Sequence, residues 1–155
     1  MGRLIRKEKI SYGRQTITQD DIKAVTDVLR SDWLSQGPKI REFEEALCRY
    51  TGAKYAVAVT NGTAALHTAC LAAGIGPGDE VITSPVTFLA SANCVVYCGG
   101  TPVFADIDEK TVNIDPAAIE KKISARTKAL IPVHFAGHPA DMAAIRRVAR
   151  KRKLL

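Results

Sequence analysis

No stretch of 18 apolar residues occurs in the sequence, so no segment reads as a membrane-spanning helix. The basic N-terminal decapeptide, residues 1–10, has no apolar stretch behind it and does not read as a secretory leader. Arg6 stands where a myristoylation signal requires Ser or Thr. Internal repeats and low-complexity linkers are also missing. With 46% hydrophobic and 25% charged residues, the composition is that of an ordinary globular domain and excludes a disordered tail, a collagen repeat and a coiled coil. At 155 residues the chain has about one domain's length.

Metal-ligand spacing is missing as well. Cys94 and Cys98 are four apart, but neither Cys48, Cys70 nor a histidine completes a set. The four cysteines read as small hydrophobes, mostly in helices, whose thiols fit a reducing cytoplasm. His67, His134 and His138 add no ligand pattern. The dinucleotide fingerprint GxGxxG, the Gly-Lys-Ser/Thr end of a P-loop and the GxSxG nucleophile elbow are all absent. Asp106 and Asp108 read as solvated loop residues rather than an acid–base pair. No residue is assigned as catalytic or metal-binding.

The net charge of +6 is local. Six of the 22 Lys and Arg lie in residues 146–155 with no acid among them, which leaves sixteen bases against sixteen acids elsewhere. Nucleic-acid binders spread positive charge over a face. Here it gathers at the end of one helix, where it suits the negative end of the helix dipole. No nucleic-acid partner is expected.

What the sequence does contain is alternation. Thr18 precedes Asp20 and Asp21, then Ile22, Val25, Val28 and Leu29 recur at helical spacing. After a loop at 31–37, Pro38 opens a second helix with Ile40, Phe43, Leu47 and Tyr50 on one face, closed by Gly52. Residues 55–59 read as a strand, 64–73 as a helix closed by Gly74, 76–79 as a turn and 80–83 as a strand. A helix is predicted from about Thr87 to Tyr97, then a strand at 101–105, a helix from Asp115-Pro116 to Ile123, a strand at 129–133 and a helix at 141–150. This order predicts an α/β fold with a mainly parallel sheet and helices on both faces. The chain stops where the next strand is due. The chain is therefore expected to stop inside a βα unit with its sheet incomplete: either the sheet is completed some other way, or this is the N-terminal part of something longer.

Ligands of parallel sheets bind beyond the carboxyl ends of the strands. Two loops there are suggestive. Thr60-Asn61-Gly62-Thr63-Ala64-Ala65-Leu66 places a glycine and a hydroxyl at a helix start, a ready anion cup; the plain alternative is a turn with a Thr cap. Phe88, in the segment 83–93, could cover a flat heterocycle whose phosphate sits in that cup; the alternative is a core Phe.

The segments Ser11-Tyr12-Gly13-Arg14-Gln15, Ser31-Asp32-Trp33-Leu34-Ser35-Gln36-Gly37-Pro38, Asn61-Gly62-Thr63-Ala64-Ala65-Leu66, Gly76-Pro77-Gly78-Asp79-Glu80-Val81, Phe88-Leu89-Ala90-Ser91-Ala92-Asn93 and Pro132-Val133-His134-Phe135-Ala136-Gly137 are weak singly and specific together. With them the chain, from about Ile10 to Arg150, resembles the N-terminal part of the DegT-type nucleotide-sugar aminotransferases. These are pyridoxal 5'-phosphate (PLP) enzymes of fold type I. Within the family, the 31–38 and 133–137 segments look most like the pseudaminic-acid branch, which aminates a UDP-linked 4-keto-6-deoxy sugar using glutamate.

The resemblance implies roles. Thr63 and Ala64, with Gly62 beside them, would bind the cofactor phosphate. Phe88 would stack on the pyridine ring, and His134 would lie near the cofactor. Tyr12, Asp32, Trp33, Leu34, Ser35 and Asn61 would contact the sugar nucleotide. Residues 1–37 would form an N-terminal helix and substrate-contacting arm, and 38–155 the first part of the PLP-binding large domain. A cytoplasmic homodimer is implied for the full-length enzyme. His138 departs from the family's usual Gln in its Gly-His-Pro turn. The family's ring-nitrogen Asp and Schiff-base Lys would come after Leu155, and none of the eleven lysines here lies in a matching motif. The isolated chain is thus expected to be inactive and poorly folded or aggregation-prone. A truncated, non-catalytic phosphate-binding fragment and part of a related PLP-dependent sugar dehydratase stand as alternatives.

Overall fold

The computed structural model describes residues 13–155, so Tyr12 and the readings made on residues 1–10 lie outside the described residues. The chain forms two compact units, one ending at Ala58 and the other running from Val59 to Leu155. This division by compactness falls later than the functional division expected after Gly37.

The first unit holds two helices. Helix α1 spans Gln19–Leu29 and begins with a reciprocal capping box. The Thr18 hydroxyl accepts from the Asp21 N–H at 3.3 Å, and the Thr18 N–H donates to Asp21 Oδ2 at 2.7 Å. Two otherwise unsatisfied donors are thereby paired. Helix α2 spans Pro38–Thr51, with Pro38 in the first turn and Gly52 closing the end at φ +74°. The amphipathic stripes expected for both helices exist, yet no residue of either helix is buried. Between the helices, Ser31 Oγ donates to the Val28 carbonyl and accepts from the Trp33 N–H. Gly37 follows in close approach: a Cβ there would lie 2.8 Å from the Trp33 Cβ.

In the second unit helix α3 (Gly62–Ala72) is followed by β1 (Glu80–Thr83), α4 (Ala90–Tyr97), β2 (Thr101–Phe104), α5 (Pro116–Lys122), β3 (Thr127–Ile131) and α6 (Met142–Arg152). The three strands form one parallel sheet in the order β2-β1-β3. All four residues of the central strand are buried. Its alternation divides the core. Val81 joins Cys70, Ile75, Cys94, Val95 and Ala129 beneath α3 and α4. Ile82 joins Ala105, Ile114, Ile119, Ile145 and Val148 beneath α5 and α6. Helices therefore cover both faces, as expected of a parallel sheet. Pro102 sits in β2, an edge strand, where a missing N–H is tolerated.

Three expectations change. Residues 55–59 form no strand: they pair with no other strand among the described residues, and the Ala58 N–H donates instead to Glu44 Oε1 at 2.8 Å. An apolar run becomes a parallel strand only when a neighbour takes up its backbone groups. Helix α4 starts at Ala90 rather than Thr87, because Ser84 turns the chain back through the Val86 N–H and Pro85 lies in the bend. β3 starts and ends two residues earlier than expected. Leu155 donates to the Lys128 carbonyl and accepts from the Leu130 N–H, taking ladder positions on the open edge of β3.

Two ion pairs tie the amino ends of β1 and β3. Buried Glu80 receives the Arg126 guanidinium and the Ser124 hydroxyl. Asp79 receives Lys128 Nζ at 2.9 Å. Hydrogen bonding holds both carboxyls below their usual range, chiefly from Ser124 at Glu80 and from Lys128 at Asp79.

Candidate functional site

Helix α3 positions the candidate cup. Its C-terminal end is fastened beside the amino ends of β1 and β3: Lys128 Nζ donates to the Gly74 carbonyl at 2.6 Å, and the Gly76 N–H donates to Asp79 Oδ2. The helix is about 16 Å long at 1.5 Å per residue, roughly a strand's length. Leu66 near its start packs in the same apolar cluster as Ile131, the last residue of β3. Gly62 therefore points to the carboxyl side of the sheet, where ligands of parallel α/β folds bind.

Asn61, not a threonine, caps this helix, with its Oδ1 accepting from the Ala64 N–H at 2.8 Å. The Ala64 N–H expected to hold phosphate is thus engaged within the cap. Asn61, expected at the sugar nucleotide, thus has its oxygen engaged, while its amide NH2 makes no hydrogen bond among the described residues. The Gly62 and Thr63 N–H groups likewise meet no acceptor among the described residues. They form the positive end of the helix dipole. Nothing lies within 4 Å of where a Gly62 Cβ would stand. This arrangement fits a phosphate: two free donors, a Thr63 hydroxyl and open backbone.

Phe88 follows the carboxyl end of β1 by five residues, is 77% exposed among the described residues and lies outside both core clusters. Its carbonyl accepts from the Ser91 N–H, anchoring it at the entrance to α4. His134 lies three residues past the end of β3 and is exposed. Thr83 and Ile131, the last residues of β1 and β3, are register partners, and Thr83 Oγ1 donates to the Ile131 carbonyl at 2.9 Å. The loops bearing Phe88 and His134 thus leave the same end of neighbouring strands. In the other unit, Asp32, Trp33, Leu34 and Ser35 are exposed, with Trp33 and Leu34 both more than half open.

One residue of this end carries no signal in the sequence. Asn113, 3% exposed, sits in the connection between β2 and α5. Its Oδ1 accepts from the Phe135 N–H at 2.9 Å, and its Nδ2 donates to the His138 carbonyl at 3.0 Å. His138, expected as a departure from an amide side chain, joins this network through its backbone. An isolated Asn beside Val112 and Ile114 has no spacing that announces such a role.

Comparison with known proteins follows this geometry. Residues 15–155 match the model of the DegT/DnrJ/EryC1/StrS aminotransferase family. The spore coat polysaccharide biosynthesis protein SpsC of Bacillus subtilis is 52% identical over 149 residues, covering 96% of this chain and 38% of SpsC. The chain therefore spans little more than a third of that curated relative. Among solved structures, Helicobacter pylori PseC, an aminotransferase involved in the biosynthesis of pseudaminic acid, superposes with a TM-score of 0.86 at 36% identity, over 95% of this chain and 40% of that one. NtdA from Bacillus subtilis, solved with the bound cofactor PMP, the amino form of PLP, superposes with a TM-score of 0.84 at 39% identity, over 89% of this chain and 33% of that one. The α/β architecture is that of fold type I PLP-dependent aminotransferases. By sequence match and fold alike, the chain belongs to the DegT/DnrJ/EryC1/StrS aminotransferase family, whose enzymes use pyridoxal phosphate.

Proposed function

We propose that this chain supplies the phosphate-holding and ring-covering part of a PLP-dependent transaminase that moves an amino group from glutamate to a UDP-linked 4-keto-6-deoxy sugar in pseudaminic acid biosynthesis. The observation that carries the reading is the start of α3, where the Gly62 and Thr63 N–H groups stand open on the same side of the sheet as exposed Phe88. Those two N–H groups and the Thr63 hydroxyl hold the phosphate, with Ala64 completing the turn. Phe88 lies against one face of the ring, and His134 donates from the β3 side. Tyr12, the loop from Asp32 to Ser35 and the free amide of Asn61 contact the sugar nucleotide. Bound PLP supplies an electron sink through which an amino group is exchanged.

The chain's own residues bind and orient; none is assigned a catalytic role. No residue here is given the part of the acid that pairs with the ring nitrogen or of the lysine that bonds the cofactor. The likeness to PseC and the Ser31–Pro38 segment support the sugar assignment. No helix among the described residues is long and apolar enough to cross a membrane, and we place the enzyme in the cytoplasm as a homodimer. The test is incubation of the full-length protein with PLP, 15N-glutamate and the UDP-linked 4-keto-6-deoxy sugar, read by mass spectrometry. A 15N-labelled amino sugar supports the reading. Loss of water without nitrogen incorporation contradicts it and marks a dehydratase.

A further inference from the structure

The turn after β3 is held in an unfavourable shape by more bonds than a loop of its length needs. Ala136 and Gly137 are both left-handed, at φ +50° and +82°. A non-glycine residue persists there only when its surroundings over-determine it. Three hydrogen bonds do so. Asn113 accepts from the N–H of Phe135 and donates to the carbonyl of His138, gripping both ends of the turn. The Ala140 N–H donates to His134 Nδ1 at 3.0 Å. Both anchors are rigid, since Asn113 and Ala140 are buried at 3% and 5% exposure.

The chemistry of these bonds leaves one arrangement. A backbone N–H can only donate and a carbonyl can only accept, so the Asn113 amide has a single orientation. An imidazole that accepts at Nδ1 carries its proton on Nε2. His134 is exposed, and its Nε2 makes no bond among the described residues.

We propose that Asn113 is a positioning residue. By clamping the 135–138 turn it holds the His134 ring so that Nε2–H stands as a fixed donor to an acceptor oxygen of the ligand at the carboxyl side of the sheet. The ligand half rests on the PLP reading above; the clamp half does not. Asn113 touches no ligand and acts through His134.

The test uses the full-length protein labelled with 15N-histidine, with the His134 ring signals identified as those lost in His134→Gln. In the wild type the proton resides on Nε2; residence on Nδ1, or averaging over both nitrogens, overturns the clamp. In Asn113→Ala, with the far-UV circular dichroism unchanged, the two tautomers become mixed; an unaltered Nε2–H signal overturns it. Should that variant not fold, Asn113→Asp takes its place: it keeps an acceptor for the Phe135 N–H but has no donor for the His138 carbonyl, and the same mixing of tautomers is expected. Adding PLP to the wild type shifts the His134 Nε2 signal, and Asn113→Ala weakens PLP binding about fivefold, as expected for one misplaced hydrogen bond. Saturation with PLP, seen by its absorption, without movement of Nε2 overturns the ligand half. Failure of PLP to bind at all contradicts the cofactor reading instead, and the tautomer comparison still decides the clamp.

Discussion

Asn61 shows how one side chain can serve the fold and border the site. Its oxygen satisfies the Ala64 N–H at the start of α3 while its amide stays free. Asn61→Ala removes the cap and is expected to cost about 1 kcal/mol, measured by denaturant unfolding of the cofactor-free, full-length protein. The thiol of Cys70 is governed by burial first, then by the hydrogen bond and charge of Cys94, which push it up to about 11. Thiolate is the reactive form, so Cys70 is expected to resist alkylation at pH 8 until the protein unfolds; labelling followed by peptide mass spectrometry checks this. Glu80 and Asp79 titrate in the opposite sense. Their carboxyls are lowered in the folded state, so their stabilising contribution is present above the ordinary carboxylate range. It is lost as pH falls below about 4. Urea midpoints measured from pH 6 to pH 3 should fall less steeply in Glu80→Gln than in the wild type. At this scale the sequence is partly readable. Thr18 and Asp115 announce their caps by position before apolar or proline-led runs, and each caps as read, whereas Asp141, read as the first residue of its helix, caps it instead. Asn113 gives no such sign, because its partners are 22 and 25 residues away and only the folded chain brings them near.

The helices and the buried strand were legible as elements because periodicity and capping act over short distances. β1 occupies the same four residues expected from its apolar run between two turns. Residues 55–59 misled, since a Val-rich run states only that the segment is apolar and not which backbone will pair with it. The end of β3 shifted for a related reason: its register is set by β1 rather than by its own composition. Within β1, Ile82 is fully buried between α5, α6 and the sheet. Ile82→Ala is expected to cost about 3 kcal/mol through lost burial and a residual cavity, read as a lowered urea midpoint. The 31–37 loop is tuned differently. A methyl at Gly37 meets the Trp33 Cβ at 2.8 Å, so Gly37→Ala must displace Trp33 or strain the loop, at about 1–3 kcal/mol. In the full-length protein the urea midpoint should fall while the helical signal is retained; an unchanged midpoint would show that the loop absorbs the methyl freely.

At the scale of the second unit, the groups proposed to meet the ligand lie at one end of the sheet. α3 brings backbone donors, the loop after β1 brings an open aromatic and the loop after β3 brings a clamped imidazole. The family and fold follow from a match over residues 15–155, a stretch that spans little more than a third of the curated relative SpsC. The central claim is narrower: the first N–H groups of α3 hold the cofactor phosphate. Gly62→Pro isolates it. Proline is favoured in the first turn of a helix, and Asn61 before it is already extended at φ −166°, ψ 172°, so the helix should form as before. The substitution removes the Gly62 N–H and sets the proline Cδ in its place, facing the proposed phosphate. In the full-length protein, the melting temperature without cofactor should match the wild type within a few degrees, while PLP affinity should fall about tenfold or more, as for loss of a hydrogen bond to a charged group. Undiminished PLP affinity in a correctly folded Gly62→Pro protein would place the phosphate elsewhere and contradict the account.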